Sequence, residues 1–510
     1  MQEWKQYLPE FREKTKAFYA GEMKKAEYKG FSGFYGSYAQ RSGKASMLRL
    51  RTPAGCVSKE RLAAIAEIIR RYQVDKVHFT TCQTIQLHNL APDKVADVIE
   101  AALDAGIVTL GGGGDYPRNV MCSPLSGVEK QEYFDVRPWA DAASDYLITL
   151  IKAEKMPRKL KVGFSNSPAN IPHVTYRDLG FAANKDGTFD VYSAGGLGNN
   201  ARFGVKVAEK IMPEMILYYI KAMWLTFRAY GNYENRGRAR TRYMQDTLGG
   251  PEKYAEAYQA KLKEVMDSGE DLKVQIKPYL IDKKGDGGTI KSSRIIEQKQ
   301  EGLYTVVWHP IGGQPKAEDL CILSDTMKEM EEVELRLSPD ETAYIVNLTS
   351  KEAEKILAVT TDSAENEFET TVSCIGAGIC QIGLRDSQGL LRACVEAARE
   401  AKLPDNALPK MHISGCPSSC GTHQTGEMGF RGAVKQVDGK PQPAFILFVN
   451  GEERQGQERM GEEMGTILET DVPKFIVKLG RYVAEQGISF SEWKKQDPEG
   501  IAKIAEEYLG

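Results

Sequence analysis

Residues 165–181, SNSPANIPHVTYRDLGF, and residues 414–430, SGCPSSCGTHQTGEMGF, are one segment used twice. At an offset of 249 positions Ser165 faces Ser414, Pro168 faces Pro417, and Gly180-Phe181 faces Gly429-Phe430. A short polar stretch and then an apolar run follow each copy: Phe189-Asp-Val-Tyr192 in the first, Phe445-Ile-Leu-Phe-Val449 in the second. Upstream, Pro53–Leu90 and Ile311–Leu348 form a second pair at an offset of 258, with Ala54-Gly55 facing Gly312-Gly313, Leu62 facing Leu320, and Asn89-Leu90 facing Asn347-Leu348. Two collinear matches in the same order mark a duplicated module.

Within each copy, Met47–Arg51 and Tyr304–Trp308 read as strands, and Lys59–Tyr72 and Ala317–Met330 as amphipathic helices. Lys76–Leu87 reads as one or two strands and Pro92–Ala105 as a helix. This order gives an α+β fold, helices on one face of a sheet, with the two copies packed about a pseudo-twofold axis. Four segments result: residues 1–110, 111–299, 300–365 and 366–510. Between the copies, Gly204–Glu297 reads as mainly helical, with an Arg-rich run at Asn235–Tyr243 and a surface turn at Lys283–Gly288.

The 510 residues carry a formal net charge of -3, against a general nucleic-acid binder, which has a basic excess. The apolar stretch Ile211–Phe227 contains Pro213, Glu214 and Lys221 and is shorter than the ~20 residues of a membrane helix. The start, MQEWKQYLPEFREKTKAF, has no apolar signal core, so a cytoplasmic protein is expected. Nine cysteines, an odd number, argue against a disulfide scaffold.

Four of those cysteines cluster in the second copy, as Cys374-x5-Cys380 and Cys416-x3-Cys420, separated by 35 residues. Four thiolates suit an iron–sulfur cluster or a tetrahedral zinc, and x5 fits the shorter zinc knuckle less well. Gly376, Gly378, Gly415 and Gly421 let the backbone approach a bulky group closely. The first copy has lost the thiols: Ser167 stands opposite Cys416, and Ile171 opposite Cys420. Cys56, Cys122, Cys321 and Cys394 are isolated and read as small buried residues.

Thr371-Val-Ser-Cys-Ile-Gly-Ala-Gly-Ile-Cys380 with Gly415-Cys-Pro-Ser-Ser-Cys-Gly421 resembles the signature of siroheme-containing sulfite and nitrite reductases. The resemblance runs from about Gly33 to Ala484. It implies a duplicated nitrite/sulfite reductase module: two ferredoxin-like half-domains paired by the pseudo-twofold, plus two α+β cofactor-binding lobes. It further implies a [4Fe–4S] cluster on Cys374, Cys380, Cys416 and Cys420, with Cys420 also the axial ligand of siroheme iron. Met47-Leu-Arg-Leu-Arg-Thr-Pro-Ala-Gly55, Gly114-Asp-Tyr-Pro-Arg-Asn-Val120 and Met156-Pro-Arg-Lys-Leu-Lys161 resemble the family's substrate-side segments. Carried over, Arg51 and Arg118 anchor a small oxyanion through charge-assisted hydrogen bonds, and Lys159 and Lys161 deliver protons. Lys161 favours sulfite over nitrite, since nitrite-specialised members often carry Asn there.

Siroheme contacts are expected from Thr80, Gln83, Gln86, His88 and Asn119, with Arg41 and Arg49 as further cations. The family's Thr-x-Arg-Gln here reads Thr80-Thr-Cys-Gln83, so Cys82 replaces an arginine, and His78 stands where another is frequent. Siroheme bears eight carboxylates, so other cations bind it here, or the cofactor is a modified, partly amidated siroheme. Three other readings stay open: a reductase that prefers nitrite, a precorrin-3B synthase-like tetrapyrrole monooxygenase, and an iron–sulfur electron-transfer subunit without chemistry of its own. With no dinucleotide fingerprint and no further ferredoxin-type cysteine cluster, the electrons are expected from a ferredoxin or another low-potential donor. Neither nucleic acid nor membrane is an expected partner.

Overall fold

The computed structural model describes residues 2–509, so the outermost positions of the expected segments, 1 and 510, lie outside it. In the first half-domain the strands are β1 (Ser37–Ala39), β2 (Ser46–Leu50), β3 (Cys56–Ser58), β4 (Lys76–Phe79) and β5 (Ile85–Leu90). Four of them make an antiparallel sheet in the order β1-β2-β5-β4. The helix Lys59–Tyr72 starts where Ser58 Oγ accepts the amide of Arg61, and it buries Leu62, Ile65, Ala66, Ile68 and Ile69. It stops at Gln73, which adopts the left-handed conformation.

The first lobe follows, with β6 (Met121–Cys122), β7 (Val162–Ser165), β8 (Leu179–Ala183), β9 (Phe189–Ser193) and β10 (Val205–Ile211), in the order β10-β9-β8-β7-β6. The second half-domain has β11 (Ile295–Glu297), β12 (Tyr304–Trp308), β13 (Glu334–Leu337) and β14 (Ala343–Leu348). The second lobe has β15 (Val372–Ser373), β16 (Met411–Ser414), β17 (Met428–Val437), β18 (Lys440–Val449) and β19 (Glu462–Leu468), in the order β15-β16-β17-β18-β19. In both lobes the two junctions nearest the short first strand are parallel and the other two antiparallel.

The duplication is visible in the backbone. β2, β4 and β5 map onto β12, β13 and β14 at the offset of 258, and β7 onto β16 at 249. Left-handed residues recur at matched places: Gln83 with Glu341, Asn89 with Asn347, Asn170 with Ser419, His173 with Thr422. The paired glycines have the same cause. A β-carbon on Gly180 would stand 2.0 Å from the Val174 carbonyl, and one on Gly429 would stand 1.9 Å from that of His423. The chain must pass flush against the preceding turn in each lobe.

One strand crosses between the copies. The second half-domain's sheet runs β11-β12-β14-β13-β3, with Val57 opposite Leu335. Both half-domains accordingly share one apolar core, in which Leu62 and Ile65 lie with Leu320 and Leu335. Each lobe has a core of its own.

Lys76–Leu87 divides, as one of the two expected readings has it, into β4 and the first half of β5 around a turn. Three expectations are adjusted. The helix from Ala317 ends at Met327 rather than Met330, and the helix expected from Pro92 begins at Val95. Gly204–Glu297 is helical only at Ile216–Tyr230, Tyr243–Thr247 and Pro251–Asp267, apart from a single 3-10 turn on either side of Glu214 and Gly237. After Asp267 the chain runs as an irregular arm, its alternating Leu272 and Val274 buried in the first-lobe core and Tyr279 stacked under the Arg137 guanidinium at 3.9 Å. Among the described residues no helix is long and apolar enough to cross a membrane.

Candidate active site between the two lobes

The cysteine loops leave the ends of β15 and β16. The Cys374 amide donates to the Ile413 carbonyl (3.1 Å), and the Gly415 amide donates to Cys374 Sγ (3.2 Å). Ser387 Oγ lies 3.2 Å from the same sulfur. Arg41 braces the loop from the first half-domain: its amide donates to Ile379 O (3.0 Å) and its guanidinium to Gly383 O (2.8 Å) and Ala377 O (3.2 Å). Glu341, on the turn that follows β13, accepts the Ser373 amide (2.9 Å) and faces His78 Nε2 (3.3 Å).

The four thiols converge. Cys420 is exposed to the space between the lobes, yet crowding by the surrounding protein pushes its thiol up; Cys416 and Cys380 push it the same way, while Lys159 and Lys161 oppose. Burial likewise pushes Cys374 up to about 12, with Cys420 adding to it. Among the described residues no three His, Cys, Asp or Glu side chains gather tightly enough for one metal ion. Four thiols linked through Cys420, with the Gly415 and Gly376 amides on the Cys374 sulfur, suit an iron–sulfur cluster.

Across from Cys420 lies a concentration of positive charge from the first copy. Burial, then Arg240, Lys161 and Arg118, push Lys159 well below the usual lysine range. Lys161 is lowered by burial, by Arg177 and by Arg240, and Cys82 opposes this. Among the described residues two carboxylates reach this group: Asp178, bound to Arg240 (3.0 Å) and to the Lys161 amide (2.8 Å), and Glu453, which acts on Arg177. Arg49 Nε, Arg118 Nε, Arg240 Nε and His88 Nε2 are buried without a partner. Half-buried cations in such excess are costly unless an anion joins them. Six of them around one space fit a group with many carboxylates, as siroheme has, together with a small oxyanion.

The residues named from sequence divide into two sets. Arg49, Arg118, Lys159, Lys161 and Cys420 meet in this shared space. Arg51 is turned to the backbone: its guanidinium donates to Pro117 O (2.9 Å) and Arg118 O (3.0 Å), and Arg49 and Arg118 also brace this loop, both donating to Gly112 O and Arg118 further to Gly114 O (2.9 Å). Thr80, Gln83 and Asn119 hold the turn that carries Cys82. Thr80 Oγ1 accepts the Cys82 amide (3.3 Å), Asn119 Nδ2 donates to Cys82 O (3.2 Å), and Gln83 bonds the Cys122 backbone through both ends of its amide (2.8 and 2.9 Å). Gln86 Oε1 faces His78 Nδ1 (3.4 Å), and His88 Nδ1 faces Gln40 (3.3 Å). Sequence reasoning passed over Arg177 and Arg240 as site residues; the Arg-rich run that contains Arg240 was the available signal.

The family described as "Nitrite/Sulfite reductase ferredoxin-like half domain" matches residues 38–105, and "Nitrite and sulphite reductase 4Fe-4S domain" matches residues 113–266. By these two matches the chain is similar to the nitrite and sulfite reductase family. The second match falls on the copy that lacks the cysteines, as expected of a duplicated family domain of which one copy keeps the cluster. An assimilatory ferredoxin-dependent nitrite reductase of Haloferax mediterranei is 26% identical, aligned over 93% of this chain and 86% of its own. The NADPH sulfite reductase hemoprotein beta-component of Anoxybacillus flavithermus is also 26% identical, over 76% of this chain and 73% of its own. The structure of Mycobacterium tuberculosis NirA superposes with a TM-score of 0.77 at 20% identity, covering 96% of this chain and 94% of NirA, which shows the shared fold. Similarity to this family implies siroheme and a [4Fe–4S] cluster, for which the thiol and cation sets above are suited.

Proposed function

We propose that the protein reduces sulfite to sulfide with six electrons, and nitrite to ammonium as a second activity. The observation that carries this reading is the apposition of Cys420 to Lys159 and Lys161 across the space between the lobes. Cys374, Cys380, Cys416 and Cys420 would hold the cluster, and the cations with Gln86 and His88 would surround the siroheme. The bound cofactors would supply low-potential electrons to an anion at the siroheme iron.

The chain's own residues do the rest. Arg49 and Arg118 orient the oxyanion through charge-assisted hydrogen bonds, while Arg51 braces the loop that carries Arg118. Lys159 and Lys161, whose proton affinity is lowered by burial and neighbouring cations, release protons to departing oxygens. The Arg and Lys set stabilises negative charge as S–O or N–O bonds break. Lys161 favours sulfite; the Haloferax relative, named as a nitrite reductase, supports nitrite as the second substrate. A ferredoxin is the proposed donor, on the same relative's name.

Anaerobic turnover of the holoprotein with reduced methyl viologen tests the reading. Sulfide or ammonium is expected, with kcat/KM higher for sulfite. Turnover of neither anion by a protein containing both cofactors would overturn it. Mass spectrometry of the extracted tetrapyrrole decides between plain and amidated siroheme.

A further inference from the structure

The repeat relates two lysines and their partners. Lys161 and Lys410 occupy equivalent positions at the offset of 249, and Cys82 and Asp340 at the offset of 258. In the second copy Lys410 Nζ binds Asp340 Oδ2 at 2.9 Å. In the first copy Lys161 is the leading cation acting on the Cys82 thiol. The repeat therefore sets a lysine beside an acidic side chain in both copies, with a thiol in place of the carboxyl in the copy that faces Cys420.

We propose that Cys82 is a positioning residue of the active site, held as a thiolate paired with the Lys161 ammonium as Asp340 is paired with Lys410. Its surroundings favour an anion from every side. Lys161 faces it from the segment before β7, Arg177 from the segment before β8, Arg49 from β2, and Arg118 from the segment before β6. Two of these guanidinium groups, Arg49 and Arg118, have a buried Nε with no partner. Asn119 Nδ2 and Thr80 Oγ1 fix the Cys82 backbone and place the sulfur. Burial alone would push the thiol up, but Lys161, Arg177 and Arg49 outweigh it and the thiol is lowered to about 6. The family's arginine at this position adds a cation; here an anion stands instead, lowering the positive charge of the cavity and holding Lys161 charged against its neighbours Arg177, Arg240, Lys159 and the burial itself.

The inference rests on the reading of Lys161 as a proton donor, and two measurements on the holoprotein keep the two separable. The first is the infrared S–H stretch, compared between the protein and Cys82→Ser. At about pH 8, where an ordinary thiol of pKa about 8.5 is mostly protonated, the two should show equal S–H intensity, since a thiolate has no S–H bond. The wild-type protein should gain one thiol's intensity on acidification to about pH 5. An excess of one thiol in the wild type at about pH 8 would overturn the proposal, and the acidification step can be read without any variant.

The second is the alkaline limb of anion binding, followed by the Soret shift, and of kcat/KM. C82A should move that limb down by about one pH unit, because Lys161 loses the charge that keeps it protonated. C82D should restore it. Limbs that superimpose for C82A and wild type, or C82D behaving as C82A, would sink the pairing. Absence of turnover with a normal S–H result would instead remove only the reductase reading.

Discussion

At the scale of single residues, the site is a contrast between charges that are answered and charges that are not. In the second copy Glu453 collects His173 Nε2 (3.3 Å), Tyr176 Oη (3.2 Å) and Thr425 Oγ1 (3.0 Å), and Asp340 takes Lys410. Burial alone would raise both carboxyls, but His173 and His412 for Glu453, and Lys410 for Asp340, hold them well below the usual carboxylate range. A carboxyl depressed in the folded state adds stability above its unfolded value, and that stability is lost as pH falls through the folded value. The melting temperature should therefore fall steeply below about pH 4. Asp340→Asn, which leaves Lys410 without its partner, should cost about 3 kcal/mol in urea unfolding at neutral pH and flatten the acid slope. In the first copy the same accounting leaves an excess of cations. Lys159→Met should lower kcat/KM by about 10²–10⁴-fold if the ammonium delivers a proton, with the cofactor spectrum retained as the control.

At the scale of elements, the glycine pair at the start of β8 and β17 carries a sharp expectation. Gly429→Ala puts a methyl 1.9 Å from the His423 carbonyl, so β17 must shift away from the turn that follows Cys420. A loss of about 3 kcal/mol or more is expected by chemical denaturation. These glycines were readable in the sequence because the flush approach tolerates no other residue, and they mark the register of the repeat. The helices and strands of the half-domains were equally readable, since Leu62, Ile65 and Ile69 in one copy and Leu320 and Leu323 in the other keep a helical period. Other elements were not. β3 is three residues long, too short to show any period, and its partner lies in the other copy. The arm after Asp267 alternates like a strand at Leu272 and Val274, yet it pairs with no sheet. Arg177 and Arg240 escaped for a different reason: a lone base in a sequence is ordinarily solvated, and only the fold brings these two to Lys159 and Lys161.

At the scale of the whole molecule, two copies of one architecture have diverged to complementary tasks, one supplying thiols and the other cations. Their dependence on metal should differ accordingly. Anaerobic removal of iron by a chelator should raise amide hydrogen exchange in residues 374–386 and 414–421, whose loops are closed by Gly415, Ser387 and Arg41 around the thiols. The equivalent stretches of the first lobe, including 165–171, should keep their protection, since Asn170 is held without any thiol, by bonds to Thr175 (2.9 Å) within the lobe and to Glu453 O (2.8 Å) across the interface. Equal loss of protection in both lobes would mean that the cluster supports the whole interface. The strand exchanged between the half-domains bears on how such a chain is made. During synthesis Cys56–Ser58 leaves the ribosome long before Glu334–Arg336, the backbone it will pair with. At about 5–20 residues per second the wait is roughly 15–55 s. Throughout that time the nascent chain displays an open edge and half of a shared core, which makes this protein a natural client for chaperones that bind the growing polypeptide.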